Sequence, residues 1–121
     1  MDRLLEIAFN AVVEKKSVNP IILDLHNLSG MTDYFLICSG QSQVQVRSIA
    51  DNILEKVQEY GLKLPVKEGY QNGFWVLLDF GRLVIHILQE PEREFYALEQ
   101  LWHEAKVIEF KSVLANGRQQ Q

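Results

Sequence analysis

Residues 73–90, GFWVLLDFGRLVIHILQE, constrain the fold more than any other stretch of the chain. They read as two strands joined at Phe80-Gly81-Arg82, with strict alternation on both. Phe74, Val76, Leu78 and Phe80 share one face with Leu83, Ile85 and Ile87 of the second strand. Trp75, Leu77 and Asp79 fall on the other, as do Val84, His86 and Leu88. Both faces are largely apolar, so the pair belongs inside a sheet that carries helices on at least one side. The second face also holds a Trp, a carboxylate and an imidazole. Periodicity leaves two readings open for it, plain core or a protein-binding patch, since Trp among aliphatics makes interaction hot spots. On the second reading Trp75 and Leu77 are the anchors, and Asp79 and His86 the polar groups that orient a partner.

A chain of 121 residues is one domain with room for a real core. Its 47% hydrophobic and 23% charged content is that of an ordinary globular protein. No apolar run approaches the roughly 20 residues needed to span a bilayer. The start, MDRLLEIAF, is amphipathic and carries an acid beside its base, unlike a signal peptide. A single cysteine, Cys38, excludes an intramolecular disulfide and suits a reducing compartment, so a cytoplasmic location is expected. Twelve basic and 16 acidic side chains leave a net charge of −4. Tight nucleic-acid binding needs a basic face to release counterions, and only Lys15-Lys16 are adjacent bases of the Lys-Lys kind. Little direct RNA or DNA binding is expected.

Along the chain, Leu4, Leu5, Ala8, Phe9, Val12 and Val13 predict a first helix from about Asp2 to Lys15, with Asp2 as its cap. Pro20 forces extended geometry before it, and strands follow over residues 21–25 and 33–39. Ser42 and Gln45 have capping-box spacing at the head of a long helix, whose buried stripe runs from Val46 to Tyr60 and which stops at Gly61. A short strand is expected near residues 66–68. After the hairpin, Pro91 opens a last helix with Phe95, Leu98, Leu101, Trp102 and Ala105 as its apolar face. The class is α/β: a mixed sheet of four or five strands packed with helices. Residues 1–105 form the domain, and 106–121 a C-terminal extension that is partly disordered.

Candidate chemistry is thin. Ser39-Gly40-Gln41-Ser42 lies between a strand and a helix start, where backbone amides can hold a phosphate. It lacks the P-loop Lys and any GxGxxG, and a turn with a cap explains it. Nucleotidyl or phosphoryl transfer also needs paired carboxylates for two metal ions, and no Asp-x-Asp occurs. Cys38 with His86 offers a nucleophile pair, but a buried cysteine is commonly a small hydrophobe. His26, His86 and His103 with Cys38 show no metal-ligand spacing, and no cofactor is expected.

Two blocks carry a family resemblance: ILDLHNLSGMTDYFLICSGQSQVQVRSIADNI and EGYQNGFWVLLDFGRLVIHILQEPEREFYALEQLW. Within them stand Asp24, the DYF-x-I-C-S-G-x-S run at 33–42, Glu68-Gly69, WVLLD at 75–79, His86, and REFYALEQLW at 93–102. Over about Leu4 to Trp102 the chain resembles the ribosomal silencing factor, or Iojap-related, family. It departs from the usual family pattern at Phe74, Arg82 and Gln43-Val44. The resemblance implies a nucleotidyltransferase-like fold without catalytic carboxylates and no enzymatic activity. It implies binding to the large ribosomal subunit, through ribosomal protein fourteen at the intersubunit face, which blocks joining of the small subunit and represses translation. A part in large-subunit maturation and a homodimer when free are also implied. The other readings are a small nucleotide-binding transferase using the Gly40 turn, and a dimeric assembly adaptor.

Overall fold

The computed structural model describes residues 2–109. The order is α1 (Arg3–Glu14), β1 (Val18–Asp24), β2 (Tyr34–Gly40), α2 (Gln43–Glu59), β3 (Val66–Glu68), β4 (Trp75–Asp79), β5 (Leu83–Gln89), α3 (Glu90–Tyr96), α4 (Leu98–Leu101) and β6 (Lys106–Ile108). The strands form one mixed sheet in the order β3-β4-β5-β2-β1-β6. Only β2 and β5 are parallel; every other pairing is antiparallel.

Local chemistry accounts for the helix starts. The Asp2 carboxylate accepts from the Leu5 N–H at 3.2 Å, and Ser42 Oγ accepts from the Gln45 N–H at 3.1 Å. Both helices lie on one face of the sheet. Leu5, Ala8 and Val12 of α1 and Val46, Ile49 and Ile53 of α2 pack on Ile22, Leu36, Cys38, Val76, Leu78, Ile85 and Ile87. Burial holds the Cys38 thiol in its protonated form, with its pKa pushed up to about 12. The opposite face carries a smaller cluster, in which Leu98, Trp102 and Ala105 cover Leu23, Leu25, Ile37 and Leu88.

Three features differ from the sequence reading. The sheet has six strands rather than four or five, because Lys106–Ile108, at the head of the expected extension, pairs with β1. The remainder of that extension, residues 110–121, lies outside the described residues. Second, the last helix is two short ones. Ala97 adopts φ 46°, in the left-handed region, and turns the chain between α3 and α4. Phe95 and Leu101, expected on a buried stripe, are therefore 80% and 71% exposed. Leu98, Trp102 and Ala105 keep their apolar contacts, but what anchors α3 is polar. The Arg93 guanidinium donates to the Val18 carbonyl at 3.0 Å and Ser39 Oγ at 3.2 Å, and pairs with Glu99 at 3.1 Å. An apolar periodicity argument cannot foresee an arginine as the docking residue. Third, Tyr60 ends α2 half-exposed, beneath the Arg3 guanidinium at 5.0 Å, instead of joining the buried stripe.

The β1–β2 connection is closed by His26, whose Nδ1 lies 2.6 Å from Asp24 and whose Nε2 lies 3.4 Å from Asp33. The Tyr34 ring meets the imidazole edge-on. The hydrogen bond to Asp24 raises the His26 pKa above its usual value, and Asp33 adds to the rise.

Two outcomes are expected. Ala97→Gly removes the left-handed strain and should raise stability by about 0.5–1 kcal/mol in urea denaturation. His26 should titrate above its ordinary 6.5 by NMR, and Asp24→Asn should bring it back down. Because the folded pKa is raised, this contribution to stability is complete below the unfolded pKa and is lost as pH climbs through the folded one.

Candidate functional site

Alternation in β4 and β5 puts the four singled-out residues on the face opposite α1 and α2. The register sets Leu77 beside His86 and Trp75 beside Leu88, with Asp79 beside Val84. Trp75 and His86 make a direct bond: the indole Nε1–H donates to His86 Nδ1 at 3.1 Å. An indole nitrogen only donates, so His86 is neutral here with its proton on Nε2. His86 is 5% exposed, and burial pulls its pKa down to about 4. The Phe35 ring stands edge-on to it at 4.5 Å. Its Nε2 is buried with no hydrogen-bond partner among the described residues.

Trp75 and Leu77 are half-buried. Trp75 packs against Tyr96 at 4.8 Å, and Tyr96 in turn meets Phe95 edge-on at 5.0 Å. Exposed Phe74 precedes Trp75 in the chain. Thus α3 extends the strand face with aromatic surface that faces solvent. The sequence reading missed Tyr96 and the exposure of Phe95; the adjacent aromatics after the Glu-rich turn were the available signal. Asp79 stands apart. It ends β4 away from Trp75, and its carboxylate accepts from the Gly81 N–H at 2.7 Å, closing the hairpin. Gly69 matters to the other end of the strand. Its φ is +79°, and a Cβ there would collide with the Trp75 carbonyl oxygen.

The alternative chemistry finds little support in the geometry. The Gln41 N–H donates to Gln45 Oε1 at 2.7 Å, and the Gln45 N–H is taken by Ser42. These side chains occupy the amides that a phosphate would use at the Gly40 turn. Cys38 projects to the helix face and His86 to the other, so the sheet separates them. No group of three or more His, Cys, Asp or Glu side chains among the described residues is placed to hold a metal ion.

A family model described as "Ribosomal silencing factor during starvation" matches residues 1–121. The chain belongs to the ribosomal silencing factor family. It is 39% identical over 112 residues to ribosomal silencing factor RsfS of Halalkalibacterium halodurans, covering 93% of this chain and 96% of that protein. The RsfS of Bacillus subtilis is 38% identical over 106 residues, 88% of this chain and 90% of its own. An Iojap-related mitochondrial protein of Arabidopsis thaliana is 32% identical over 96 residues, spanning 75% of this chain and 52% of the longer plant protein. Among solved structures, a crystal structure from Bacillus halodurans superposes with a TM-score of 0.80 at 38% identity, covering 91% of this chain and all of that one. A second, from Chromobacterium violaceum, gives 0.81 at 27% identity, covering 93% and 97%. Within this ribosomal silencing factor, no helix among the described residues is long and apolar enough to cross a membrane.

The His86 geometry predicts a single imidazole tautomer with its proton on Nε2, visible in nitrogen-15 spectra and neutral down to about pH 5. Since the folded pKa is depressed, this residue contributes stability above the unfolded value near 6.5. That contribution should fade as pH falls toward 4, opposite in sign to the His26 effect.

Proposed function

We propose that this chain represses translation without catalysis, by docking its Trp75 face on the large ribosomal subunit and blocking the small subunit from joining. The partner on that subunit is ribosomal protein fourteen, at the intersubunit face. The fold is read as nucleotidyltransferase-like with the catalytic carboxylates lost. One observation carries the reading: Trp75, half-buried and pinned by His86, continues into the exposed rings of Tyr96 and Phe95. A rigid aromatic anchor among aliphatics is the usual centre of a protein–protein hot spot. The indole has its polar atom satisfied internally, so it presents hydrocarbon to a partner at little desolvation cost. His86 acts from beneath the surface, fixing the plane of the indole through its Nδ1, and half-buried Leu77 beside it helps exclude water. Asp79 borders the far end of the contact.

The mechanism is steric. A specific interface buries on the order of 1,200–2,000 Å², enough to obstruct a second large surface placed across it. A net charge of −4 suits a basic ribosomal protein and opposes indiscriminate contact with rRNA. The same face serves self-association in the free chain, which docking on the subunit replaces, and docking accompanies late large-subunit maturation.

Purified chain should slow reassociation of separated subunits in a light-scattering assay and co-sediment with the large subunit only. Trp75→Ala, folded by circular dichroism, should weaken that binding by about tenfold or more. Unimpaired reassociation at saturating chain, or equal sedimentation with both subunits, would overturn the reading.

A further inference from the structure

The sheet ends at β3, a three-residue edge strand whose outer side no other strand covers among the described residues. Exposed edges are templates for a further strand, and proteins usually blunt them with charge or proline. Here the protection is partial. Pro65 and Lys67 are present, yet Leu64 is 50% and Val66 63% exposed. Beside this edge lies a groove of about 550 Å³, at the opposite end of β4 from Trp75. Leu62 and Phe80 form its floor, and Leu64 and Val66 its wall. Arg3, Lys63 and Arg82 stand around it, all exposed.

The charges are unevenly committed. Two nearby acids have internal tasks: Asp2 caps α1 and pairs with Arg82 at 2.7 Å, and Asp79 closes the hairpin turn. Glu68, the exposed acid of β3, stands at the other end of that strand and does not line the groove. Arg3 lies over Tyr60. Lys63 has no partner among the described residues. An apolar trough with a cationic rim, on a chain of net charge −4, complements an occupant that is both aliphatic and acidic. Three of the four apolar lining residues, Leu62, Leu64 and Val66, are aliphatic, and the single ring, Phe80, is packed against the core. The trough therefore favours a polypeptide over nucleic acid, which needs exposed rings for its bases to stack on.

We propose that this groove and the free edge of β3 form a second docking site, which takes an extended acidic segment of a protein partner as an added strand. Alternate aliphatic side chains of that segment fill the trough, and its carboxylates meet Lys63, Arg3 and Arg82. Main-chain bonds to β3 supply affinity and the rim supplies the sign of charge. The site is independent of the Trp75 face and would remain if that face had another role.

The test uses the full chain and a fluorescein-labelled probe peptide, Gly-Glu-Leu-Asp-Val-Glu-Leu-Asp-amide, in an anisotropy titration. Binding is expected, weakening with salt and falling by about fivefold in Lys63→Glu and in Val66→Asp. Amide NMR shifts on titration should concentrate at residues 62–68. Both substituted side chains are exposed, so the fold is retained, and either variant alone suffices. Equal affinity for a peptide with Lys in place of every acid would overturn the proposal. So would displacement by oligouridylate, absence of binding, or shifts confined to the Trp75 face.

Discussion

Seven residue pairs join β2 to β5 in parallel at the middle of the sheet, from Tyr34–Leu83 to Gly40–Gln89. Parallel neighbours cannot be linked by a tight turn, so the chain must leave the sheet and return. Helix α2 provides the exit, and the β3–β4 excursion brings the chain back to the far side of β5. The central strands must then be apolar on both faces, since each is flanked by other strands and overlain on two sides. Everything else follows from covering those two faces. The amphipathic stripes of α1 and α2 close one over β1, β2, β4 and β5. The short α3–α4 segment closes the other only over β1, β2 and part of β5, which leaves Trp75 and Leu77 at the margin of the cover.

How much of this was readable before the structure depends on the kind of signal. Alternation in 74–80 and 83–88 placed Val76, Leu78, Ile85 and Ile87 on the buried side and put Trp75, Leu77 and His86 together on the other. Caps at Asp2 and Ser42 and the stop at Gly61 came from local chemistry that needs no tertiary context. The failures fall where non-local polar contacts decide. Arg93 ties α3 to Val18 and Ser39, residues far away in sequence, and Ala97 takes a left-handed conformation that glycine would have advertised. A helical stripe through Phe95 and Leu101 looked sound on spacing and was overridden by that anchor. β6, like β3, is too short for a periodic signal, and it lacks the flanking Pro65 and Gly69 that bracket β3.

The candidate site was legible as a face but not as a network. Its membership follows from the period of two. The Trp75–His86 bond does not, because the two residues sit diagonally across the hairpin rather than directly opposite. Nor does the separate duty of Asp79, which depends on the turn geometry at Gly81. The outward turn of the Phe95 ring is hidden from the sequence for the same reason that the break at Ala97 is.

Cys38 lies at the centre of β2, wholly buried beneath the helices, and it is the chain's sole thiol. An alkylating reagent needs thiolate and a path to it, and the native state withholds both. Local fraying of the edge strands or of α4 exposes neither, since the central strands open last. The rate of thiol modification is therefore a clock for rupture of the whole sheet, reading the slowest opening of the molecule without any label having been introduced.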